Sequence, residues 1–505
     1  MPNTGAVLWN NDGRMDDADA YQARFDAETS VWCRPGFVTL NGDNRYLSLF
    51  VADEIGPWIA RHNMTPDDYQ TEFNTWTAKN YFPICVQAAG SSATAARFAA
   101  LFVQTEDIVA KRFKATGPIE NSTIDGAVQD VMQKYPLVRH ASLAIVNGKR
   151  LVYARGYTLA EPSWPEAQPT THFRIASVSK PVTALAAFQL IERKSLALTD
   201  TLQSILQLKT PSGGAPPDSR FNRITIQHLL EHRSGLDAED FTQGVAVMQK
   251  FKEAGHPASL PVTQAMTDSY VASRRLVSDP GTDQAYSNCG YYLLGRIVAH
   301  LYGKAAPIDA YRRHLFDPLG IKRIRSAVDL VFAQSADEAR YQASDLQVAQ
   351  SLMTPDQPLV ASGYGTDELA IAQGSGGLSA ATTDLARLVA ILIDQHDNPA
   401  LKRATITGML SAAAKLSSAG YGRAGYGLDY AKNYGGGSFY GQKGGILVGA
   451  ASVLQFDDQW GFALCFGSPS GPYGVYPDFP AVMNVAKNTN WGTTDLFPQF
   501  GMSPL

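Results

Sequence analysis

The chain has 505 residues, 45% of them hydrophobic and 18% charged, with a net charge of −4 made of mixed signs. That composition is ordinary for a globular enzyme of two or three domains with ample length for a large core. No basic run marks a nucleic-acid partner, and no apolar segment reaches the length of a membrane span.

The first thirty residues lack the basic start and apolar stretch of a signal peptide. What they hold instead is the start of an internal repeat. Tyr21-Gln22-Ala23-Arg24-Phe25 recurs 48 residues on as Tyr69-Gln70-Thr71-Glu72-Phe73, and Pro35 and Val38 recur as Pro83 and Val86. After a loop four residues longer in the second copy, Leu49-Phe50-Val51 returns as Leu101-Phe102-Val103. Each unit reads as a short helix, an extended piece, a loop and a strand, and repeats of this period are stacked supersecondary units. Thr65 before Pro66 is a good helix start, a capping hydroxyl followed by proline at the first helical position. Val7-Leu8-Trp9 precedes the first copy much as Leu49-Phe50-Val51 precedes the second, which reads as the end of an earlier copy lying upstream. The four cysteines (Cys33, Cys85, Cys289, Cys465) have no short spacing and define neither a disulfide framework nor a zinc site. Cys33 and Cys85, in comparable segments of the two copies, are candidates to pair, with buried free thiols as the alternative.

Lys114 to Pro118 marks a boundary. The reading places a tandem-repeat domain over residues 1–117, expected to hold substrate or partner, and a second domain over 118–505. In the second, Ile124, Val128, Val131 and Tyr135 recur at helical spacing. Ser142–Val146 and Arg150–Ala154 flank Asn147-Gly148, a strong hairpin signal. A long helical middle region with Gly/Pro-rich loops follows. Ile446–Phe456 and Trp460–Phe466 then read as another hairpin across Asp457-Asp458-Gln459. Strands at both ends of the domain with helices between imply one antiparallel sheet with helices packed on it, an α+β fold.

Phe173 to Leu185 is the stretch on which chemistry centres. In a helix beginning near Ser177, Ser177 and Lys180 lie one turn apart on one face, and Pro181 falls where a missing N–H costs little. From Val182 to Ile191 nearly every side is apolar, which reads as a helix buried all round. A serine hydroxyl needs its proton removed before it attacks a carbonyl. Lys180 can remove it only if its pKa falls well below about 10.4, and burial and the helix N-terminus both push it down. The same helix start aims the Ser177 N–H at a developing oxyanion. A capping serine beside a solvated lysine is the bland alternative. Tyr286-Ser287-Asn288, just before the apolar helix of Leu293, Leu294, Ile297 and Val298, adds a phenol that can relay protons and an amide that can orient substrate or lysine.

Ser177-Val178-Ser179-Lys180, Tyr286-Ser287-Asn288 and Gly441-Gln442-Lys443-Gly444-Gly445 resemble the three motifs of the serine β-lactamase and penicillin-binding-protein fold. The closest look is to the branch with class C β-lactamases, esterases and D-amino-acid peptidases. Ile224 to Leu236 and Gly374-Ser375-Gly376-Gly377-Leu378 support the resemblance, which covers roughly residues 119 to 490. It implies a β-lactamase/transpeptidase-like sandwich, catalysis by Ser177, Lys180 and Tyr286, and no metal or cofactor. Asn288, Gln442, Lys443, Gly444 and Gly445 fall at its substrate and oxyanion positions, the Gly445 N–H as second oxyanion donor. The third motif departs from the family's Lys-Thr-Gly. One frame puts Gln442 at the cation position; the other keeps the cation as Lys443 and replaces the hydroxyl-bearing residue by Gly444. Either way, recognition of a β-lactam carboxylate is in question.

The Tyr-Gln-x-x-Phe repeats in front of such a domain resemble those of fungal polyglycine hydrolases and their bacterial relatives. That resemblance implies a secreted peptidase that cuts glycine–glycine or similarly unhindered bonds in a peptide or protein substrate. An esterase, D-amino-acid peptidase or β-lactamase of the same fold is the alternative. Two remoter readings stand beside it. His228-Leu229-Leu230-Glu231-His232 fits the H-x-x-E-H pattern of zinc metallopeptidases, but Arg233-Ser234-Gly235 ends that helix at once. A catalytically idle binding module would lack a nucleophile or base, and Ser177 and Lys180 are both present.

Overall fold

Every residue from His140 to Val146 is buried, and so is every residue from Leu151 to Ala160. Strands without polar alternation belong in a sheet covered on both faces, and that is where they lie. The computed structural model describes residues 7–8, 15–135, 137–237, 244–343, 347–394, 396–418, 425–434, 438–468 and 479–505. Met1 to Ala6 and Trp9, which enter the signal-peptide and repeat readings, lie outside the described residues.

The main sheet has seven antiparallel strands, in the order Tyr430–Tyr434, Ser438–Leu447, Ala450–Asp457, Trp460–Phe466, His140–Asn147, Arg150–Ala160 and Arg112–Thr116. Trp460–Phe466 pairs with His140–Asn147, so strands from the two ends of the domain share one sheet, as expected. Period-two alternation sends Leu143 and Ile145 to one face and Ala144 and Val146 to the other. The first set packs with Ile124, Val128 and Met132 of helix Ser122–Lys134 and with Val482, Met483 and Ala486 of helix Phe479–Asn488. The second set joins the large core under helices Ser179–Glu192 and Thr382–Ile393. A short three-stranded sheet pairs His172–Arg174 with Leu378–Ala381 and aims the chain into Ser177.

The expected hairpin at Asn147-Gly148 forms, with Gly148 at a positive φ in the turn. The later expectation needs correction. Ile446 to Phe456 is not one strand. Val448-Gly449 forms a two-residue turn, with Gly449 at φ +84°, and Ile446 and Leu447 end the preceding strand. An apolar run conceals such a turn unless the glycine is weighted above its neighbours.

The repeats are two three-stranded sheets, each carrying one helix: Val7–Leu8, Tyr46–Val51 and Arg34–Leu40 with helix Ala18–Thr29, then Trp58–Met64, Arg97–Val103 and Phe82–Ala89 with helix Pro66–Thr77. Thr65 caps the second helix through a capping box with Asp68. Val7–Leu8 pairs with Phe50 and Val51 of its own unit, so it corresponds to Trp58–Ile59 and is not the end of an earlier copy. The polar-interrupted Trp58–Met64 carries no strand pattern and is invisible from sequence. Cys33 and Cys85 are both free and buried. Cys33 lies in the large core, whereas Cys85 lies in the small core between the two units and donates to Val38 O at 3.3 Å. By strand register Cys85 corresponds to Phe37 and Cys33 to Tyr81, so the two thiols are not equivalent and lie in different cores.

The first repeat is fused to the rest. Val31, Cys33, Phe50 and Ala52 belong to the large core. Arg139, 3% exposed, pairs with Glu161 through Nε at 3.0 Å and also donates to Gln342 and to Ala52 O of the repeat. Arg139→Ala leaves Glu161 buried without its cation. Loss of about 3–5 kcal/mol of unfolding free energy is expected, read as a lowered midpoint in denaturant titration.

Candidate active site

Ser177 sits in one turn of 3-10 helix, Ala176–Val178, that runs into helix Ser179–Glu192. The chain enters through Ala176 at φ +47°, a left-handed conformation that costs an ordinary residue roughly 1–2 kcal/mol. The turn is held from several sides. Val178 N–H and Ser452 Oγ both donate to Ile175 O, at 3.0 and 2.6 Å, and Ser179 Oγ donates to Ala176 O at 2.7 Å. Ser179 through Leu190 are buried without exception, matching the helix expected to be apolar all round. Lys180 therefore has no path to solvent along its own stem.

The Lys180 amine, 0% exposed, meets three oxygens: Ser177 Oγ at 3.0 Å, Asn288 Oδ1 at 2.7 Å and Ser375 O at 2.7 Å. An ammonium donates to all three. A neutral amine keeps two N–H groups for the fixed acceptors Asn288 and Ser375 and turns its lone pair to the Ser177 hydroxyl. Asn288 opens helix Asn288–Leu301, whose cap is Ser287. Tyr286 Oη lies 2.8 Å from Ser177 Oγ. Burial, with Lys443 as a like charge, lowers the Lys180 pKa to about 8, against the opposing pull of Tyr286. Burial raises the Tyr286 phenol, but Lys180 and Lys443 overcome it and bring the pKa down to about 8. Two groups that titrate near neutrality thus flank one hydroxyl.

The third element comes from strand Ser438–Leu447. Lys443, 1% exposed, donates to Tyr286 Oη at 3.3 Å and to Asp429 Oδ1 at 2.5 Å. Asp429 Oδ2 accepts the Gly444 N–H at 2.9 Å. At Gly445 a Cβ would stand 2.4 Å from Ile175 O and 2.9 Å from Ser177 N, so only glycine permits this approach of strand to nucleophile.

A family model described as Beta-lactamase matches residues 125–470. The chain belongs to the β-lactamase family. A second model, described as a polyglycine hydrolase-like structural repeat, matches residues 55–105, the second repeat unit. The chain is similar to the D-alanyl-D-alanine-carboxypeptidase/endopeptidase AmpH of Escherichia coli (strain K12), 26% identical over 247 residues that cover 49% of this chain and 55% of that protein. The match thus spans about half the length of that relative. Among solved structures, the octameric penicillin-binding protein homologue from Pyrococcus abyssi aligns with a TM-score of 0.52 and 22% identity, covering 75% of this chain and 80% of that one. The D-amino acid amidase from Ochrobactrum anthropi SV3 aligns at 0.52 and 19%, covering 73% and 100%. Both share the fold.

Set in the β-lactamase-family frame, the structure decides between the two alignments of the third motif. Lys443 faces Tyr286 and takes the cation position. Gln442 points to the opposite face, where Tyr440 donates to its Oε1 at 3.0 Å, so it is not part of the site. The oxyanion expectation also changes. The two-residue turn at Val448-Gly449 makes Leu447–Ala450 a hydrogen-bonded pair, and alternation then makes Gly445–Ser452 one as well. The Gly445 N–H is spent in the ladder. The next one, on Ile446, points from the open edge, because strand Tyr430–Tyr434 pairs only as far as Gln442. Ser177, Lys180, Tyr286, Asn288, Lys443, Gly444 and Gly445 are thus brought together, and Gln442 is not.

Three contributors had no sequence signal: Asp429, the Ser375 carbonyl and the Ile446 N–H. His232 also gains a place. Its Nδ1 accepts the Ser287 N–H at 3.1 Å, and its ring lies 4.6 Å from that of Tyr286 and 4.9 Å from that of Tyr291. Helix Ile226–Leu230 ends before His232, which sits at φ +56°, so His228 and His232 do not share a helical face as H-x-x-E-H requires. Gly445→Ala must push the Ser177 turn away from the strand. At least a hundredfold slower labelling by a fluorophosphonate is expected, read by intact mass against time, with the unfolding midpoint as the check on folding.

Proposed function

We propose that the protein is a serine peptidase that works through an acyl-enzyme. The observation that carries this reading is the buried Lys180 amine, whose two fixed acceptors leave its lone pair to the Ser177 hydroxyl. Ser177 Oγ attacks the substrate carbonyl as its proton passes to neutral Lys180. The Ser177 and Ile446 N–H groups receive the oxyanion. Tyr286 delivers a proton to the leaving nitrogen, and Asn288 holds Lys180 and the substrate amide. Water then attacks the ester by the reverse path, and Ser177 regains its proton.

The substrate we propose is an extended, side-chain-poor segment, glycine-rich in the simplest case, in a peptide or protein. Gly444 and Gly445 add no side chains to the strand along which such a backbone would run. Asp429 stands at the Gly444 N–H, where a substrate carboxylate would meet like charge. That disfavours β-lactams and free chain ends and favours internal bonds. The polyglycine hydrolase-like repeat points the same way, while the name of AmpH covers both an endopeptidase and a carboxypeptidase. On this reading the tandem repeats help hold the substrate and the enzyme works outside the cell.

The purified chain, incubated with a glycine-linker fusion protein, a D-amino-acid dipeptide and nitrocefin, should cut the linker alone. Cleavage of nitrocefin alone would sink the substrate assignment, and unchanged cleavage by Ser177→Ala would sink the mechanism. Tyr286→Phe should slow acylation by about 10²–10⁴-fold, the usual worth of a positioned proton-transfer group.

The pH dependence follows from the two titrating groups. Attack needs Lys180 neutral, so labelling by a fluorophosphonate, whose fluoride leaves without a proton, should rise with pH through about 8 as Lys180 loses its proton. Peptide cleavage also needs Tyr286 protonated and should fall again as the phenol ionises, also near 8. Lys443 lowers both values: its charge opposes the Lys180 ammonium and favours the Tyr286 phenolate. Lys443→Met should therefore move the midpoint of the labelling-rate profile upward. A downward shift would contradict the assignment.

A further inference from the structure

A polar cavity of about 190 Å³ lies between the first repeat and the hydrolase domain. Its charges are nearly all accounted for. Arg34 pairs with Asp53 at 2.6 Å, Arg139 with Glu161 at 3.0 Å, and Glu54 accepts from Ser163 Oγ at 2.9 Å. Arg340 differs. Among the described residues it has no carboxylate partner and no hydrogen bond, and it rests on two indole faces, 4.2 Å from the Trp32 ring centre and 5.0 Å from that of Trp164. Trp164 is 8% exposed, and its Nε1–H is buried without an acceptor. Arg340 and Trp164 thus both line the cavity, and neither the guanidinium nor the indole N–H meets an acceptor among the described residues.

The repeats supply an internal control. Arg34 pairs with Val51 in the first unit as Phe82 pairs with Val103 in the second, so the two positions are equivalent. Counted the same way, Trp32 corresponds to Asn80, and both close the turn after their helix at positive φ, +66° and +63°. Asparagine tolerates that conformation, whereas for a bulky aromatic it is a strained one. The fold of the unit thus asks for neither Trp32 nor Arg34. Only the copy facing the cavity carries them.

We propose that this cavity binds a carboxylate group, held by the in-plane N–H groups of Arg340 and the Trp164 Nε1–H. A guanidinium over the Trp32 ring and close to the inclined ring of Trp164, with no hydrogen bond of its own among the described residues, keeps N–H groups for a planar, bidentate acceptor. Asp53, Glu54 and Glu161 nearby suit a monoanion better than a phosphate dianion. The volume is below that of sites for drug-sized ligands, so the group recognised is a small acid or the end of a chain. The site does not depend on the reaction at Ser177.

Trp32 and Trp164 make tryptophan fluorescence the readout for the intact chain. N-acetylglycine should give a saturable change, and N-acetylglycinamide should give none. Arg340→Gln should weaken the acid at least tenfold, and Trp164→Phe, which keeps a ring but removes the N–H, severalfold. Near-UV circular dichroism reports whether each variant is folded, and if Arg340→Gln is not, Trp164→Phe decides. N-acetylpentaglycine separates the sources: binding as tight as N-acetylglycine assigns the site to chain ends, and much weaker binding assigns it to small free acids. Equal binding of acid and amide, wild-type affinity in folded Arg340→Gln, or tighter binding of inorganic phosphate would each overturn the proposal.

Discussion

A lysine amine with no exposure to water is the constraint on which the site depends. Burying such a group is costly unless every hydrogen-bonding direction is met, and Lys180 meets Ser177 Oγ, Asn288 Oδ1 and Ser375 O. Each partner comes from a different part of the chain: the nucleophile turn, the start of helix Asn288–Leu301 and the loop before strand Leu378–Ala381. The helix that carries Lys180 is packed all round, so the side chain cannot snorkel out. The same burial that makes the position expensive lowers the pKa to where the amine can act as a base. Cost and reactivity have one origin.

The second constraint is steric. Strand Ser438–Leu447 must lie close enough to Ser177 to place a cation beside Tyr286 and an open N–H beside the nucleophile. Gly445 allows that approach because any Cβ would strike Ile175 O. Once the strand is there, its pleat decides everything else. Lys443 faces the phenol, Gln442 faces away, the Gly445 N–H closes the ladder and the Ile446 N–H stays open. Asp429 completes the arrangement by holding Lys443 and the Gly444 N–H with its two oxygens.

The repeats act on a different scale. They are a stacked pair of small sheets, and only the first shares the large core, through Val31, Cys33, Phe50 and Ala52. Arg139 and Gln342 bind backbone carbonyls of that unit from the hydrolase side. The first repeat is thereby part of the body that carries Ser177, and the polar cavity at the junction follows from two surfaces that meet without filling the space between them.

Local pattern determined much of this. Serine and lysine one turn apart before an apolar run, Tyr-x-Asn before another, and a glycine-rich strand start each depend on residues close in sequence, so the family, the fold class and the core of the site were legible from them. The repeat was legible too, because Tyr-Gln-x-x-Phe recurs with its prolines. What the tertiary structure decided is whatever depends on strand parity and on distant segments meeting. Parity turned Gln442 out and moved the open N–H to Ile446, and pairing with the distant Phe50 and Val51 placed Val7–Leu8 in its own unit. Distance in sequence hid Asp429, the Ser375 carbonyl and the lone Arg340 between two tryptophans. A motif records which groups a chain can offer, whereas the direction each faces is set only when the sheet closes around it.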